Sequence, residues 1–169
     1  KNPDDDPDKE VIRLVKYDKN WNRLGAASLI GADTYDPFTA GSLRMAEYGN
    51  VLYIRTAHEL FAGTSGVHHQ CNQTWQVRTT DMTTIEINNG DWLEGYVSHS
   101  FNQFILVDDQ ENIVAMDHGD AYPRGICLGM YEKTASEDSF KSPFYREMVL
   151  EAYDADCNAT GMAVGGLEY

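Results

Sequence analysis

One strand pattern recurs along this chain at a spacing of about 60 residues. Residues 41–45 and 50–54 are two short apolar segments, and residues 100–104 and 112–116 follow the same plan. A third copy begins at residues 160–167. Repetition at such a spacing is typical of architectures in which each unit buries its apolar face against the next unit. The chain is therefore expected to fold as a row of similar units.

The repeated unit contains only short strands, which predicts an all-β fold. Four-stranded units of this kind are typical of β-propeller blades. The continuous apolar run at residues 51–54 favours sheets that are covered on both faces, as stacked blades are. We therefore expect a partial β-propeller of about three blades, made of two complete four-stranded blades plus flanking strands. A β-sandwich is the alternative.

This prediction divides the chain into an arm and a propeller segment. The expected parts are an acidic N-terminal arm at 1–9, an outer hairpin at 10–30, blades at 40–89 and 95–155, and the first strand of a further blade at 160–169. Residues 145–152 fit a strand better than the alternative of a short helix. Because closed propellers typically have about four to eight blades, the missing blades would come from the same larger protein or from another chain.

Composition and charge exclude several classes of partner. The chain has 13 Lys and Arg against 27 Asp and Glu, for a formal net charge of −14. Such a charge repels phosphate backbones and anionic lipid surfaces, so we predict no nucleic-acid partner. No apolar run approaches the length of about 20 residues that crosses a bilayer, so we also predict no direct membrane insertion. Residues 1–8 do not resemble a secretory signal, and an exported protein would be represented here by its mature part.

The cysteines and two sequons are compatible with an extracellular protein. The three cysteines, Cys71, Cys127 and Cys157, form no C-x-x-C pair. We expect all three to be small buried residues, and the alternative is one disulfide bridge plus one free thiol. Asn72 and Asn158 each begin an N-x-T triplet and are candidate glycosylation sites. The residues alone leave open whether either asparagine carries a glycan.

Two acidic clusters are interpreted as surface features. Residues 4–6 are expected to be a solvated tail, and residues 108–111 a hairpin turn. Neither cluster follows the EF-hand calcium loop.

Six further motifs lie at residues 16–22, 40–45, 66–72, 99–103, 117–124 and 158–161. As a set they resemble β-propeller blades of large secreted or surface-attached bacterial proteins. The resemblance implies a propeller fold and an extracellular or cell-surface location, and it implies no particular chemistry. It also implies that Asn72 and Asn158 are fixed by blade geometry, and that Cys71 stands where a smaller residue is usual.

Histidines with charged neighbours are the candidates for catalysis. They are His69, His99 and His118, with Asp117, Asp120 and Arg124. Imidazoles beside carboxylates can bind a divalent metal or act as an oriented general base. The alternative is structural, with the histidines bonded to backbone, the aspartates capping turns, and Arg124 paired with Asp117. Because no His-x-His or His-Glu-x-x-His spacing is present, we predict no metal and no cofactor.

Tryptophans are the candidates for ligand binding. Trp21 and Trp92 lie in polar turns, where an exposed ring could stack on a sugar, whereas Trp75 lies in an alternating strand and is expected in the core.

These observations favour an extracellular, non-catalytic binding or assembly module, built from propeller blades. Its partners would be other blades of a larger protein or of another chain, and a glycan or protein ligand is compatible with it. The alternative is an enzyme with a His/Asp site near the propeller axis, with or without a metal.

Overall fold

The computed structural model describes residues 1–38, 43–64, 66–88, 102–119, 124–132, 145–152 and 165–168. These residues form eleven β-strands and no helix, which confirms the prediction of an all-β chain. The strands are β1 (Glu10–Tyr17), β2 (Arg23–Ile30), β3 (Thr34–Pro37), β4 (Arg44–Tyr48), β5 (Val51–Leu60), β6 (Gln70–Arg78), β7 (Thr83–Asn88), β8 (Asn102–Val107), β9 (Ile113–Gly119), β10 (Arg124–Tyr131) and β11 (Tyr145–Ala152).

The described strands form three antiparallel sheets. The first sheet is the hairpin β1–β2. The middle sheet contains β3, β4, β5, β6 and β7, with β3 and β4 both paired to β5. The third sheet has the order β8, β9, β10, β11, which is also the order along the chain. None of the three closes on itself within the described residues.

Two of these sheets contain the same four-strand plan. Strands β4 to β7 lie within residues 40–89, and β8 to β11 lie within residues 95–155. Their first strands, β4 and β8, contact each other across the interface between the two sheets. The layered arrangement is compatible with blades and with a β-sandwich, so the arrangement of the sheets around a common axis stays a prediction.

Two hairpin turns have the same hydrogen bonds. In the β1–β2 turn, Asp18 Oδ1 accepts bonds from the main-chain N–H groups two and four residues on, and Oδ2 accepts one from the Asn22 amide at 2.9 Å. In the β8–β9 turn, Asp108 repeats all three bonds, with Asn112 as the amide donor. An aspartate that bonds its own following backbone favours a turn. The hairpin turn predicted in this acidic cluster is confirmed.

Two apolar cores lie between the sheets. The core between the first and middle sheets consists of Ile12, Ala27, Leu29, Ile54, Trp75, Val77 and Met82. The core between the middle and third sheets consists of Val51, Tyr53, Ile105, Ile113, Ala115, Cys127 and Tyr131. The middle sheet is therefore covered on both faces, as its apolar run predicted, and Trp75 is a core residue as expected.

The N-terminal arm is fixed to the sheets. The side chain of Asn2 is fully buried, and its main-chain N–H donates to the carbonyl of Tyr35 at 2.7 Å. The Asp5 carboxylate accepts a hydrogen bond from the N–H of Ala62 at 2.9 Å. The prediction of a solvated tail is therefore wrong for the main chain, although the carboxylates of Asp4 and Asp6 are exposed.

The C-terminal part contains one confirmed strand and one open prediction. Tyr145–Ala152 is a strand paired with β10, so the helical alternative is wrong. Residues 165–168 form no strand, and the rest of the strand predicted from residue 160 lies outside the described residues. The described part of the chain contains no helix long and apolar enough to span a membrane.

Candidate functional site

A polar layer is buried between the middle and third sheets. Residues opposite each other on neighbouring antiparallel strands share a face, and side chains alternate along each strand. The register therefore places Arg55 of β5 and Asn72, Thr74 and Gln76 of β6 on the face that carries Tyr53, towards the third sheet. All five residues are 3% exposed or less.

An ion pair connects this layer across the two sheets. Arg55 Nε donates to Oδ1 of Asp117 at 2.8 Å, and Nη2 donates to Oδ2. The third guanidinium nitrogen, Nη1, donates to Thr74 Oγ1 at 2.6 Å. Asp117 lies opposite Gln103 and Cys127 in the register of the third sheet, and all three are fully buried. We call Arg55, Asn72, Thr74, Gln76, Gln103 and Asp117 the inter-sheet polar layer.

Burial and charge act in opposite directions on the ion pair. Burial raises the pKa of the Asp117 carboxyl, and the charge and hydrogen bonds of Arg55 pull that pKa back down. Burial alone would lower the pKa of Arg55, but the adjacent carboxylate more than offsets this effect and the pKa is raised. The guanidinium is thus held charged, and both carboxylate oxygens are occupied by one partner.

Two amides of the polar layer have no visible hydrogen-bond partner. Within the described residues, both side-chain polar atoms of Asn72 and of Gln76 are buried and unbonded. An unsatisfied buried polar group costs about 1–3 kcal/mol. The layer is therefore not optimised for stability at every position.

A second buried polar cluster lies on the opposite face of the middle sheet. His58 Nδ1 is 2.8 Å from Thr34 Oγ1, and Gln73 Nε2 donates to the same hydroxyl at 3.3 Å. All three residues are 1% exposed or less. The cluster ties the short strand β3 to β5 and β6.

The structure does not bring Asp117 and His118 together. They are successive residues of β9, so their side chains point to opposite faces of the third sheet. His118 is 3% exposed on the face away from the middle sheet. The partner of Asp117 is Arg55, whereas the sequence suggested Arg124 for a structural pair.

His69 lies far from the ion pair. It is exposed in the β5–β6 connection, where its carbonyl accepts from the N–H of Leu60 at 2.8 Å. Leu60 is five residues beyond Arg55 along β5, which places His69 about 16 Å from the polar layer along the strand direction. His69 and Asp117 therefore do not share a site.

The remaining candidates for catalysis are His99, Asp120 and the side chain of Arg124, which lie outside the described residues. In the ranges that the structure covers, no group of three or more His, Cys, Asp or Glu residues could hold a metal ion.

Trp21 is exposed, as predicted from its place in a polar turn. Its side chain is 81% exposed, and its ring centroid lies 5.9 Å from that of Tyr17. Trp92 lies outside the described residues. Whether the exposed ring binds a ligand stays a prediction.

The first sequon does not present its asparagine to solvent. Asn72 is 1% exposed and faces the third sheet. In the folded chain its side-chain amide is therefore inaccessible to a glycosylating enzyme. Cys71 and Cys127 are buried thiols, as expected for small core residues. Asn158 and Cys157 lie outside the described residues.

A cleft lies beside the first sheet. The hairpin packs on the middle sheet through Ile12, Ala27 and Leu29, and a cleft of about 250 Å³ remains next to β1, above β4 and β5. Its lining residues are Leu14, Val15 and Lys16 of β1, Met45 and Glu47 of β4, Leu52 of β5, and Thr79 and Met82 of the β6–β7 turn. Within the described chain β1 pairs only with β2, so the edge of β1 along the cleft carries no ladder partner. We call this feature the β1 cleft.

Sequence reasoning missed Arg55 and the cleft. Arg55 stands in alternation with Val51 and Tyr53 on one face of β5, and this alternation is the signal that could have identified a buried arginine.

In comparisons with known proteins, no family model matches this chain, and neither the curated proteins nor the solved structures gave a significant match.

Proposed function

We propose that this chain is a non-catalytic binding or assembly module, built from propeller blades that are completed by strands from the same larger protein or from another chain. The observation that carries the proposal is the β1 cleft. Among the described residues the first sheet has two strands, whereas the third sheet has four, and the cleft lies beside β1.

The stacking of the sheets supports a repeated architecture in which the first sheet has room for further strands beside β1. The hairpin covers the outer part of the middle sheet and leaves Met45 of β4 51% exposed. Two more strands beside β1 would cover β4 and β5, as β8 and β9 do on the opposite face of the middle sheet. Such strands would give the first sheet the plan of the third sheet.

The inter-sheet polar layer supports a structural role over catalysis. A buried charge pair favours one relative position of two sheets, because any shift leaves a charge unpaired in the interior. Arg55 and Asp117 satisfy this role directly, because both oxygens of Asp117 accept hydrogen bonds from the Arg55 guanidinium.

The proposed setting is extracellular or at a cell surface. The net charge of −14 and the resemblance to blades of secreted and surface-attached bacterial proteins support it. A direct check is fractionation of the native source, in which recovery in the soluble intracellular fraction alone would contradict this setting.

Light scattering tests the assembly part of the proposal. The purified 19.0 kDa chain is measured over a range of protein concentration at low and high salt. We expect a defined assembly to form more readily at high salt, because salt screens the repulsion between chains of charge −14 and allows uncovered faces to meet. A monomer under all these conditions would contradict completion of the sheets by further copies of this chain.

A further inference from the structure

The β1 cleft has the features of a strand-binding site. The open edge of β1 offers unpaired main-chain groups, and an extended peptide can add to such an edge by main-chain hydrogen bonds. Side chains Leu14 and Lys16 of β1 point towards the middle sheet, as their neighbour Ile12 does in the core. An added strand would continue this sheet over β5.

The floor of the cleft extends over two adjacent strands of the middle sheet, β4 and β5. It extends from Leu52 on β5 to Met45 and Glu47 on the adjacent strand β4. Neighbouring strands are about 4.8 Å apart, so a strand next to β1 and a second one beyond it would lie above β5 and β4. A β-hairpin with apolar side chains on its inner face matches this floor.

The negative charge of the cleft floor and of the whole chain favours a basic occupant. Glu47 is an exposed carboxylate on the floor and forms no ion pair within the described residues. The nearby ammonium of Lys16 donates to the carbonyl of Thr79 at 2.8 Å, so its charge is held at the end of the cleft. A second copy of this chain would bring a further charge of −14, whereas a basic partner would be attracted.

We infer that the β1 cleft binds a β-hairpin of a different, basic polypeptide, which pairs with the edge of β1 and places apolar side chains on Leu52 and Met45. This inference rests on the proposed function and names the partner class for it. The hairpin completes the first sheet as a four-stranded unit.

Designed hairpins test the inference on the full chain. Two disulfide-cyclised hairpin peptides carry the same apolar side chains, and one has Lys where the other has Glu at the inner-face position that lies over Glu47. Affinity is measured by fluorescence anisotropy at low salt. We expect the Lys hairpin to bind at least about tenfold more tightly than the Glu hairpin, and to lose this advantage at high salt.

Cleft variants locate the binding. Met45→Ser should weaken the Lys hairpin about tenfold, since it removes an apolar contact, and Glu47→Gln should weaken it about threefold. Val67→Ser is the matched control, because Val67 is also 51% exposed but lies in the β5–β6 connection. Hydrogen exchange should show new protection of β1 amides when the hairpin is bound.

The outcomes separate this inference from the proposed function. Equal affinity for the two hairpins, or affinity that Met45→Ser leaves unchanged, overturns the inference. Self-association that Met45→Ser abolishes identifies a second copy as the occupant, which also overturns it but supports the proposed assembly. Absence of both peptide binding and self-association contradicts the inference and the proposed function together.

Discussion

Arg55 and Asp117 form a two-point contact between the middle and third sheets, with Nε 2.8 Å from Oδ1 and side chains that are 3% and 1% exposed. The two residues lie 62 positions apart in the sequence. Their contact is the one ion pair among the described residues that is buried on both sides.

Breaking this pair should destabilise the chain strongly. Arg55→Met and Asp117→Leu each leave a buried group without its charge partner, and we expect a loss of about 3–5 kcal/mol in the free energy of unfolding. The double variant Arg55→Met with Asp117→Leu should cost clearly less than the sum of the single variants. Urea denaturation of all three proteins measures both effects.

The control for this prediction is a surface pair. Arg78 pairs with Asp81, and the side chains of these two residues are 34% and 52% exposed. Arg78→Met removes this contact and should lower the free energy of unfolding by at most about 1 kcal/mol. Equal losses for Arg55→Met and Arg78→Met would contradict the structural role of the buried pair.

Gln76→Leu tests the unsatisfied amide of the polar layer. Because replacing an unbonded buried amide by an apolar group of similar shape removes a desolvation penalty, we expect a change below about 1 kcal/mol or a gain in stability. Thr74→Val should cost about 1–3 kcal/mol, since it leaves Arg55 Nη1 without its acceptor. A larger loss for Gln76→Leu than for Thr74→Val in urea denaturation would mean that Gln76 is hydrogen-bonded.

Gly31→Ala should release the N-terminal arm. Gly31 has a φ of +57°, and an added Cβ would lie 2.2 Å from the carbonyl oxygen of Pro7. Gly49 has a similar φ of +59° with open space around it, so Gly49→Ala reports the backbone strain alone, about 1 kcal/mol. We expect Gly31→Ala to cost more than Gly49→Ala and to increase hydrogen exchange at residues 2–9. Similar exchange in both variants would show that the arm is not held through this contact.

The Asp18 turn should make stability depend on acid pH. The hydrogen bond from the Asn22 amide, together with main-chain N–H donors, lowers the pKa of Asp18 below its usual value of 3.8. A carboxyl with a lowered folded-state pKa contributes stability above its unfolded pKa and loses it as pH falls through the folded value. Asp18→Asn should therefore be less stable than wild type at pH 7, and this difference should shrink as pH falls from 3.8 through the lowered folded-state pKa of Asp18. Thermal unfolding from pH 7 to pH 2 measures the gap, and a gap independent of pH would refute a charge effect.

The buried sequon gives a prediction about modification. Folded protein from a glycosylating host should carry no glycan on Asn72, because the side chain lies between two packed sheets. Intact mass and peptide mapping measure this. A glycan on Asn72 in soluble, folded protein would contradict the face assigned to this residue.

Local signals predicted the strands and the turns well. The pattern of Asp18 and Asn22 marked the first hairpin, and its strands, residues 10–17 and 23–30, match the apolar segments of the sequence. Turn chemistry and two-residue alternation act within a few residues, so a sequence contains them directly. The short strand β3 was not predicted, because it depends on pairing with β5.

Contacts between sheets could not be predicted in the same way. Asp117 was interpreted through its neighbours His118 and Arg124, whereas its partner Arg55 lies on another sheet. No local pattern specifies which residues of two stacked sheets meet, because that depends on the register of both sheets. The same reason explains Asn2, which is polar and near the terminus and yet is fully buried.

The shared turn of Asp18 and Asp108 makes the loops of the first and third sheets interchangeable parts. Each five-residue loop contains its own hydrogen bonds, so either one can be transplanted into the place of the other without redesign of the strands. New sequences for display on this scaffold are best introduced by substitution of the residues between the aspartate and the asparagine, because an insertion there would break the hydrogen bonds that span the loop.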